Sequence, residues 1–404
     1  MLKEFEDLHP GPVAARCPLC GADGLRRILR LHDVPVLCNQ LWPDAAAARA
    51  AANADLHLAV CRDCTLISNC SFRDDLVDYA PGYENALHFS PRFRAFAAAL
   101  CEELVARYDL AGRDVVEIGC GDGHVLELMV QAGVRSATGF DPSATETATP
   151  FTATPGVEIV PEYFRADQLD RPCDFVLCRH VLEHLADPWS VLRAVRAAVG
   201  RRDCPVYFEV PNGQWMLESC STWDAIYEHV TYWTPASLET LFRRVGFAPL
   251  AIRAGYDGQF LMIEARPAPP EPDFLPSAEA RRETAGACRR FAATAEAMVS
   301  TWRGRLAALG DDGKRAVIWG AGSKGITFAN AVAGRRNGLV ALVDINVRKH
   351  GRFVPGVALP VTAPSALATL DPDLVMISNE VYANEIRRTV DQHGLSPEFA
   401  VIAG

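Results

Sequence analysis

Residues 114–123, DVVEIGCGDG, followed at 124–129 by HVLELM, decide the fold. The first five residues form an apolar run of the length of a buried strand, and HVLELM reads as the start of a helix. Between them, Gly119, Gly121 and Gly123 let the backbone turn tightly and approach a ligand without a Cβ clash. We therefore predict a strand–loop–helix unit whose loop binds a ligand.

Two carboxylates indicate which ligand this loop binds. Asp141 ends the next apolar run, twenty residues after Gly121, where an acidic side chain can accept both ribose hydroxyls of a nucleoside. A dinucleotide loop is spaced Gly-x-Gly-x-x-Gly, whereas this one begins at Glu117 and reads Glu-x-Gly-x-Gly-x-Gly. A carboxylate suits the ammonium group of S-adenosylmethionine (SAM), and the motif resembles the first motif of class I SAM-dependent methyltransferases. Phe164 and Asp167 are further candidates for contact with the adenine.

Composition limits the classes of function. The 404 residues suggest two or three domains, and 49% hydrophobic with 22% charged residues is typical of a globular protein. A net charge of -10 argues against nucleic-acid or anionic-membrane partners. The first residues have no apolar core of a signal peptide, and no apolar run reaches membrane-spanning length. We therefore expect a cytoplasmic protein whose thirteen cysteines are reduced or bind metal.

Four cysteines near the start of the chain form two Cys-x-x-Cys pairs. Cys17 and Cys20 make the first pair, and Cys61 and Cys64 make the second. Each pair can give two thiolates to one tetrahedral metal, and four thiolates close the coordination sphere of zinc. Because a closed site has no position for a substrate or water, we predict a structural zinc ion.

Apolar runs alternate with helical stretches on both sides of a proline-rich break at 266–272. Such alternation predicts parallel βαβ units. We therefore predict an α/β protein, in which two Rossmann-like sheets follow a small zinc module. The expected boundaries are 1–70 for the zinc-binding module, 71–268 for a SAM-dependent methyltransferase domain, 269–310 for a helical linker and 311–404 for a C-terminal Rossmann-like substrate-binding domain.

Three clusters of ionisable side chains fall at predicted loop positions: Tyr79, Tyr83 and His88; His180 and His184; and Tyr227, Glu228 and His229. Methyl transfer to carbon needs a base that removes a C–H proton and donors that hold the enolate. His180 is the predicted base, because histidine titrates near neutrality and this one follows a strand. His184 would share its face on a helix and is expected to pack there. Glu228 and His229 would relay protons, and the three tyrosines would shape the pocket.

A second glycine loop occupies residues 319–325, WGAGSKG, after a predicted strand, with Asp344 closing the next strand. This is the Gly-x-Gly-x-x-Gly pattern of dinucleotide sites, so NAD-dependent redox chemistry is one alternative. Because backbone N–H groups at a helix start bind phosphate, we expect Gly322 and Lys324 to contact a diphosphate or other anionic part of the substrate. The other alternative is a fold element that only closes the cleft.

Taken together, the cysteine pairs, the loop at 119–123, the histidines at 180 and 184 and the C-terminal βα series resemble three-domain SAM methyltransferases with an N-terminal zinc module. The best-understood members are C-methyltransferases of nucleotide-linked keto-deoxysugars. The resemblance implies that a base deprotonates the carbon beside a ketone and that the enolate attacks the methyl group of SAM. It places Tyr79 and Tyr83 in a lid and His88 near a small-molecule substrate. The acid–base loop of that family reads Tyr-His-Glu-His, whereas Tyr227-Glu228-His229 is one residue shorter. Methyl transfer to O or N of a natural-product intermediate is the alternative.

Overall fold

The computed structural model describes residues 12–13, 15–77, 83–144, 149–168, 173–200, 202–334 and 337–402. Its strands are β1 (Pro12–Val13), β2 (Leu25–Pro35), β3 (Asn53–Val60), β4 (Ile67–Asn69), β5 (Asp114–Ile118), β6 (Ser136–Phe140), β7 (Val157–Val160), β8 (Phe175–Arg179), β9 (Val206–Pro211), β10 (Thr231–Tyr232), β11 (Phe247–Gly255), β12 (Phe260–Pro267), β13 (Ala316–Trp319), β14 (Leu339–Val343), β15 (Val361–Thr362), β16 (Leu374–Ile377) and β17 (Glu398–Val401). Its α-helices are α1 (Ala45–Arg49), α2 (Pro91–Arg107), α3 (His124–Gln131), α4 (Ser190–Val199), α5 (Gly213–Glu218), α6 (Pro235–Val245), α7 (Ala278–Asp311), α8 (Ser323–Ala331), α9 (Leu367–Leu370) and α10 (Ala383–Gln392).

The first sheet is antiparallel and has the strand order β1-β2-β3-β4-β10. Its last strand, β10, comes from a distant part of the chain and pairs Thr231 with Ser68. The loop that carries Tyr227, Glu228 and His229 precedes β10 and is thereby fixed against the N-terminal module.

The central sheet has the order β11-β12-β9-β8-β5-β6-β7. Strands β5 to β9 run parallel, as the alternating pattern predicts, but β12 is antiparallel to both of its neighbours. The prediction of parallel units was wrong here, because a tight turn with left-handed residues Asp257 (φ 55°) and Gly258 (φ 87°) joins β11 to β12. An Asp-Gly pair is typical of a hairpin turn, and a hairpin makes its strands antiparallel.

The third sheet is parallel throughout, with the order β15-β14-β13-β16-β17. In the central sheet, beside β5, and in the third sheet, beside β13, the chain reverses the direction in which it adds parallel strands. A crevice opens at the carboxyl ends of the strands at such a switch point, and ligands bind there. Both glycine loops lie at these points. The α/β fold with Rossmann-like sheets is thus confirmed.

One long helix, α7, fills the segment for which the sequence allowed one helix or two. It starts at the cap Ser277, whose hydroxyl accepts the backbone N–H of Ala280. Its first half packs Cys288 and Phe291 against the N-terminal sheet, and its second half packs Trp302 against the third sheet. The helix therefore buries apolar surface of both modules. Within the described ranges, no helix is long and apolar enough to cross a membrane.

Candidate active site

The first glycine loop joins β5 to α3 and is tight on one side. Gly119 has a left-handed φ of 76°, and a Cβ there would lie 2.1 Å from a methyl carbon of Val181. Gly121 is also left-handed (φ 55°), but no described atom lies within 4 Å of the position its Cβ would take. The loop therefore packs closely at its first glycine and leaves open space at its second.

Asp141 holds this loop from the end of β6. One carboxylate oxygen accepts the backbone N–H of Gly121 at 2.8 Å, and the other accepts the N–H and the hydroxyl of Ser143 at 2.9 and 2.6 Å. These bonds fix the carboxylate beside the open side of the loop, where the sequence predicts the ribose of the cofactor.

Glu117, in the same loop region, is a buried carboxylate that is 2% exposed. Burial raises its pKa to about 8, although the positive charge of Arg179 opposes the rise. Among the described residues, its Oε2 atom finds no hydrogen-bond partner. Since an unpaired buried acceptor is costly, the site fits a ligand that brings a cation or donor, as the ammonium of SAM would.

The two residues predicted to contact adenine differ in their surroundings. Phe164 is buried and meets the ring of Phe140 edge to face, with the centroids 5.4 Å apart. Asp167 has an exposed side chain and lies 3.5 Å from Arg165. Contact of either residue with the cofactor stays a prediction.

A cavity of about 330 Å³ lies at the carboxyl ends of β8 and β9 and extends to the second glycine loop. Its wall includes Asn39 of the N-terminal module, Tyr83, His180 and His229 of the central domain, and Lys324 of the C-terminal domain. The carboxyl ends of the central and third sheets therefore open into one common space.

His180 ends β8 in a left-handed conformation (φ 53°) that is uncommon outside glycine. Its Nε2 lies 3.1 Å from Glu209 Oε1, and its Nδ1 lies 3.4 Å from Glu183 Oε1. Burial lowers its pKa, but the two carboxylates outweigh this and raise it to about 9. Two carboxylates that favour the protonated imidazole suit a hydrogen-bond donor to an enolate oxygen, and the role of His180 as the base stays a prediction.

His184 and His229 form a second pair of imidazoles in the cavity wall. Their rings meet edge to face, with the centroids 4.8 Å apart. Residues 182–184 form a short 3₁₀ turn, so the expectation that His180 and His184 share an α-helical face was wrong. Burial and the neighbouring imidazoles keep the pKa of His229 well below its usual value. His229 is therefore neutral.

Glu228 is buried behind this pair and joins the modules. Its Oε2 accepts the hydroxyl of Tyr83 at 2.6 Å, and its Oε1 accepts the backbone N–H of Cys38 at 3.1 Å. Burial raises the pKa of Glu228. Tyr83 lines the cavity, so the bond connects the cavity wall to the loop before β10.

Tyr227 does not shape the cavity, contrary to the prediction. It is fully buried in the N-terminal module, where its hydroxyl accepts the N–H of Arg73 and donates to the carbonyl of Ser71, both at 3.0 Å. Its ring stacks on Phe72. The antiparallel pairing of β10 with β4 holds this side of the loop against the module. Tyr79, the other predicted tyrosine, lies outside the described residues.

His88 is not part of the cavity wall, although its neighbours Leu87 and Phe89 are, and its contact with the substrate stays a prediction. Its ring stacks on His124 at a centroid distance of 5.0 Å, and its Nε2 lies 3.8 Å from the carboxylate of Asp122. Both partners belong to the first glycine loop or the helix after it. The structure therefore places His88 beside the predicted cofactor loop.

The second glycine loop brings Gly322 and Lys324 to the cavity wall. The Lys324 Nζ lies 3.1 Å from Asp224 Oδ2, donates to Gln259 Oε1 at 3.0 Å and lies 4.8 Å from the ring of Trp215. The charge of Lys324 is thus balanced by a carboxylate of the central domain.

Asp344, where a dinucleotide fold would hold a ribose, binds its glycine loop as Asp141 binds the first one. Its two oxygens accept the N–H groups of Ala321 and Asn346, each at 2.8 Å, and Lys349 Nζ lies 3.6 Å away. These contacts stabilise the loop and the strand end.

Sequence reasoning missed several polar residues of the cavity region. Glu183, Asp224 and Gln259 line the cavity, and Glu209 lies behind His180. Glu209 had a signal, since a carboxylate inside the apolar run at 205–210 is difficult to bury without a partner. The others lie in loops whose approach depends on tertiary packing.

The four predicted metal ligands come together at the edge of the first sheet. The Sγ atoms of Cys17 and Cys64 lie 3.4 Å apart, those of Cys20 and Cys61 lie 3.5 Å apart, and all four lie within 4.8 Å of one another. Tetrahedral zinc with sulfur at ~2.3 Å needs S–S distances of about 3.8 Å. The cluster therefore fits one such ion.

Two families match separate parts of the chain. Residues 91–252 match a methyltransferase domain, and residues 274–394 match a C-methyltransferase C-terminal domain. The first match contains β5, β8 and their loops, and the second contains the second glycine loop.

Among curated proteins, the chain is 26% identical to the C-methyltransferase NovU of Streptomyces niveus over 386 residues, covering 92% of this chain and 90% of NovU. It is 30% identical to a ubiquinone biosynthesis O-methyltransferase of Bordetella avium over 161 residues, covering 36% of this chain and 66% of that protein. Among solved structures, it is similar to the magnesium protoporphyrin IX methyltransferase of Synechocystis with a TM-score of 0.35 and 18% identity, covering 47% and 91% of the two chains.

Proposed function

We propose that this SAM-dependent methyltransferase transfers a methyl group to the acidic carbon of its substrate. Its C-terminal part matches the C-terminal domain of C-methyltransferases. The acceptor carbon lies beside a ketone of a nucleotide-linked sugar or similar natural-product intermediate. The observation that carries this proposal is the placement of two different imidazoles in one cavity wall: His180 lies between the carboxylates of Glu183 and Glu209, which favour its protonated form, whereas the burial of His229 favours its neutral form. Base-assisted carbon alkylation requires both states at once.

The cofactor binds in the first glycine loop, where its sulfonium supplies an electrophilic methyl group. Glu117 pairs with its ammonium, which satisfies the otherwise unpartnered Oε2 atom. Asp141 accepts the ribose hydroxyls, and Gly121 leaves the backbone accessible. Phe164 and Asp167 contact the adenine side.

In the reaction, His229 removes the proton from the carbon beside the ketone. The electron pair of that C–H bond moves into an enolate, whose oxygen accepts a hydrogen bond from the His180 imidazolium. Glu183 lies next to both histidines and stabilises the imidazolium that forms at His229. Glu228 and Tyr83 fix the loop and carry the proton onward. The enolate carbon would then bond to the methyl group as the bond between that methyl group and the SAM sulfur breaks, and the sulfur would keep the electron pair as a neutral thioether.

The anionic portion of the substrate binds at the second glycine loop. Gly322 offers open space, since no described atom lies within 4 Å of its Cβ position. Lys324 lines the same side of the cavity, and a phosphate would replace Asp224 as the partner of its ammonium. This arrangement supports a nucleotide-linked substrate.

The four-cysteine cluster holds a structural zinc ion in this proposal. Its thiols are spaced as a tetrahedral site needs, and the cluster lies apart from the cavity wall. Metal analysis of purified protein tests this point, with one zinc per chain as the expected value.

The test of carbon methylation is proton exchange without SAM. The protein is incubated in deuterated water with a panel of nucleotide-linked keto-sugars, and deuterium at the acidic carbon is measured by mass spectrometry. We expect exchange in the native protein and its loss in His229→Gln, with SAM affinity by calorimetry retained. Methyl transfer to one of these substrates without any exchange, or exchange retained in His229→Gln, would contradict the proposal. Methylation at O or N in product analysis would instead support the alternative acceptor.

A further inference from the structure

We propose that Glu183, His184 and His229 form a second metal site, which binds a divalent first-row transition-metal ion in the cavity wall and blocks methyl transfer when filled. The binding part of this inference depends only on the geometry. The effect on turnover rests on the proposed function, because it uses the assignment of His229 as the base.

The three side chains offer the donor set that such ions bind. One ligand atom from each lies within 4.8 Å of the other two. Two imidazoles and one carboxylate are a common ligand set for zinc and for other first-row ions with open coordination positions. Donors ~2.1 Å from a tetrahedral ion are about 3.4 Å apart, so small side-chain rotations close the site.

Two of these side chains have buried polar atoms that lack partners in the described parts of the chain. They are Oε2 of Glu183, a residue 1% exposed, and Nδ1 of His229. Both residues line the cavity, so these atoms lie near a space that a ligand can enter. A buried carboxylate oxygen, or an imidazole nitrogen that carries no proton, gains more from a cation than from a neutral donor.

The rigid surroundings hold the donors in place. Glu183 and His184 are neighbours on the 3₁₀ turn after β8, and the backbone N–H of Val230 donates to the carbonyl of Glu183 at 2.8 Å. This bond connects the turn directly to the loop of His229. The donors thus come from two segments that are already joined, which reduces the conformational entropy lost on binding.

An ion in this site and base catalysis by His229 exclude each other. A metal needs the lone pair of a neutral imidazole, and the same lone pair accepts the proton from the substrate carbon. A filled site therefore leaves His229 without the lone pair that the reaction needs, and turnover is inhibited.

The first experiment measures binding with cobalt(II) as the probe. Protein whose cysteine cluster is filled with zinc is freed of weakly held ions with a mild chelator and then titrated, with calorimetry and visible absorption as readouts. We expect one further equivalent per chain, with weak d–d bands and without the intense thiolate-to-cobalt absorption of a cysteine site. His184→Gln should weaken this binding by at least the roughly 10- to 100-fold that loss of an outer metal partner causes.

The matched control is His32→Gln, a surface histidine 3.1 Å from Asp55, which should bind cobalt as the native protein does. Retention of zinc by the cysteine cluster and an unchanged thermal midpoint show that a variant is folded. If His184→Gln is not folded, Glu183→Gln is used in its place. The proposed site is overturned if the native protein binds no further equivalent of cobalt, or if His184→Gln and Glu183→Gln bind cobalt as tightly as the native protein does.

The second experiment measures turnover during a zinc titration of the same preparations. Zinc should inhibit the native protein reversibly, and inhibition of His184→Gln should need at least about tenfold more zinc. Zinc that binds but leaves turnover unchanged or raises it overturns the inhibitory role. Absence of deuterium exchange in protein whose second metal site is empty would count against the proposed function alone, since cobalt binding is measured without substrate.

Discussion

Replacement of Glu209 by glutamine tests whether His180 is held protonated by its carboxylate neighbours. Glu209 is buried on β9, and its Oε1 lies 3.1 Å from His180 Nε2 and accepts two hydrogen bonds from Arg179 at 3.0 and 2.7 Å. Burial raises the pKa of Glu209, but Arg179 and His180 outweigh it and lower it to about 2. The carboxylate is therefore charged at every working pH.

The expected size of the effect follows from the pKa of His180. It is about 9, against 6.5 for an unperturbed histidine, and this difference favours the protonated form by about 3 kcal/mol at 1.36 kcal/mol per pH unit. Two carboxylates share the effect, so Glu209→Gln should lower the pKa by more than about one pH unit. Because the pKa is raised by folding, the stabilisation is complete below pH 6.5 and is lost as the pH rises through about 9.

The assay is an NMR titration of the imidazole of His180, with the signal assigned from a His180→Gln sample. Thermal unfolding between pH 6 and 10 is measured in parallel, and the decline above pH 6.5 should be shallower in Glu209→Gln. Glu264→Gln is the matched control, since this buried carboxylate of the same sheet pairs with Arg107 at 2.7 Å instead. Glu209→Gln leaves the buried Arg179 without its carboxylate partner. If this variant does not fold, Glu183→Gln is titrated in its place. A native pKa near 6.5, or one that both glutamine variants leave unchanged, refutes the reasoning.

Other changes test the loops and the cysteine cluster. Gly119→Ala should lower the thermal midpoint strongly, because its Cβ would lie 2.1 Å from a methyl carbon of Val181. Gly121→Ala should cost only ~1–2 kcal/mol of left-handed strain and chiefly reduce the SAM affinity measured by calorimetry. Equal midpoints for the two variants would contradict this reasoning. Cys61→Ser should release the bound zinc and lower the midpoint in a melting experiment, and an unchanged zinc content would contradict the structural role. Tyr83→Phe removes the 2.6 Å bond to Glu228 and should lower kcat more than KM, with pH–rate profiles as the measurement; a change in KM alone would assign it to substrate binding.

The loops at the strand ends differ in how far the sequence could predict them. The glycines at 119–123 and the cysteine pairs act through local backbone geometry and short spacing, so their patterns are readable without the fold. The reversed strand β12 also had a local signal, the Asp257-Gly258 turn, which the alternating pattern obscured. The sequence holds no local signal for the position of Tyr227. The pairing of β10 with β4 decides that this side of the loop, and with it Tyr227, faces the N-terminal module.

The sequence by itself determined the α/β class, the glycine loop between β5 and α3, and the grouping of four thiols in two pairs. Each of these depends on neighbours within a few residues or on a regular period. Tertiary structure alone decided that His184 lies against His229, that Asp224 balances Lys324, and that two carboxylates raise the pKa of His180. The physical reason is that pKa values and ion pairs depend on burial and on charges from distant segments, which pattern and spacing do not encode.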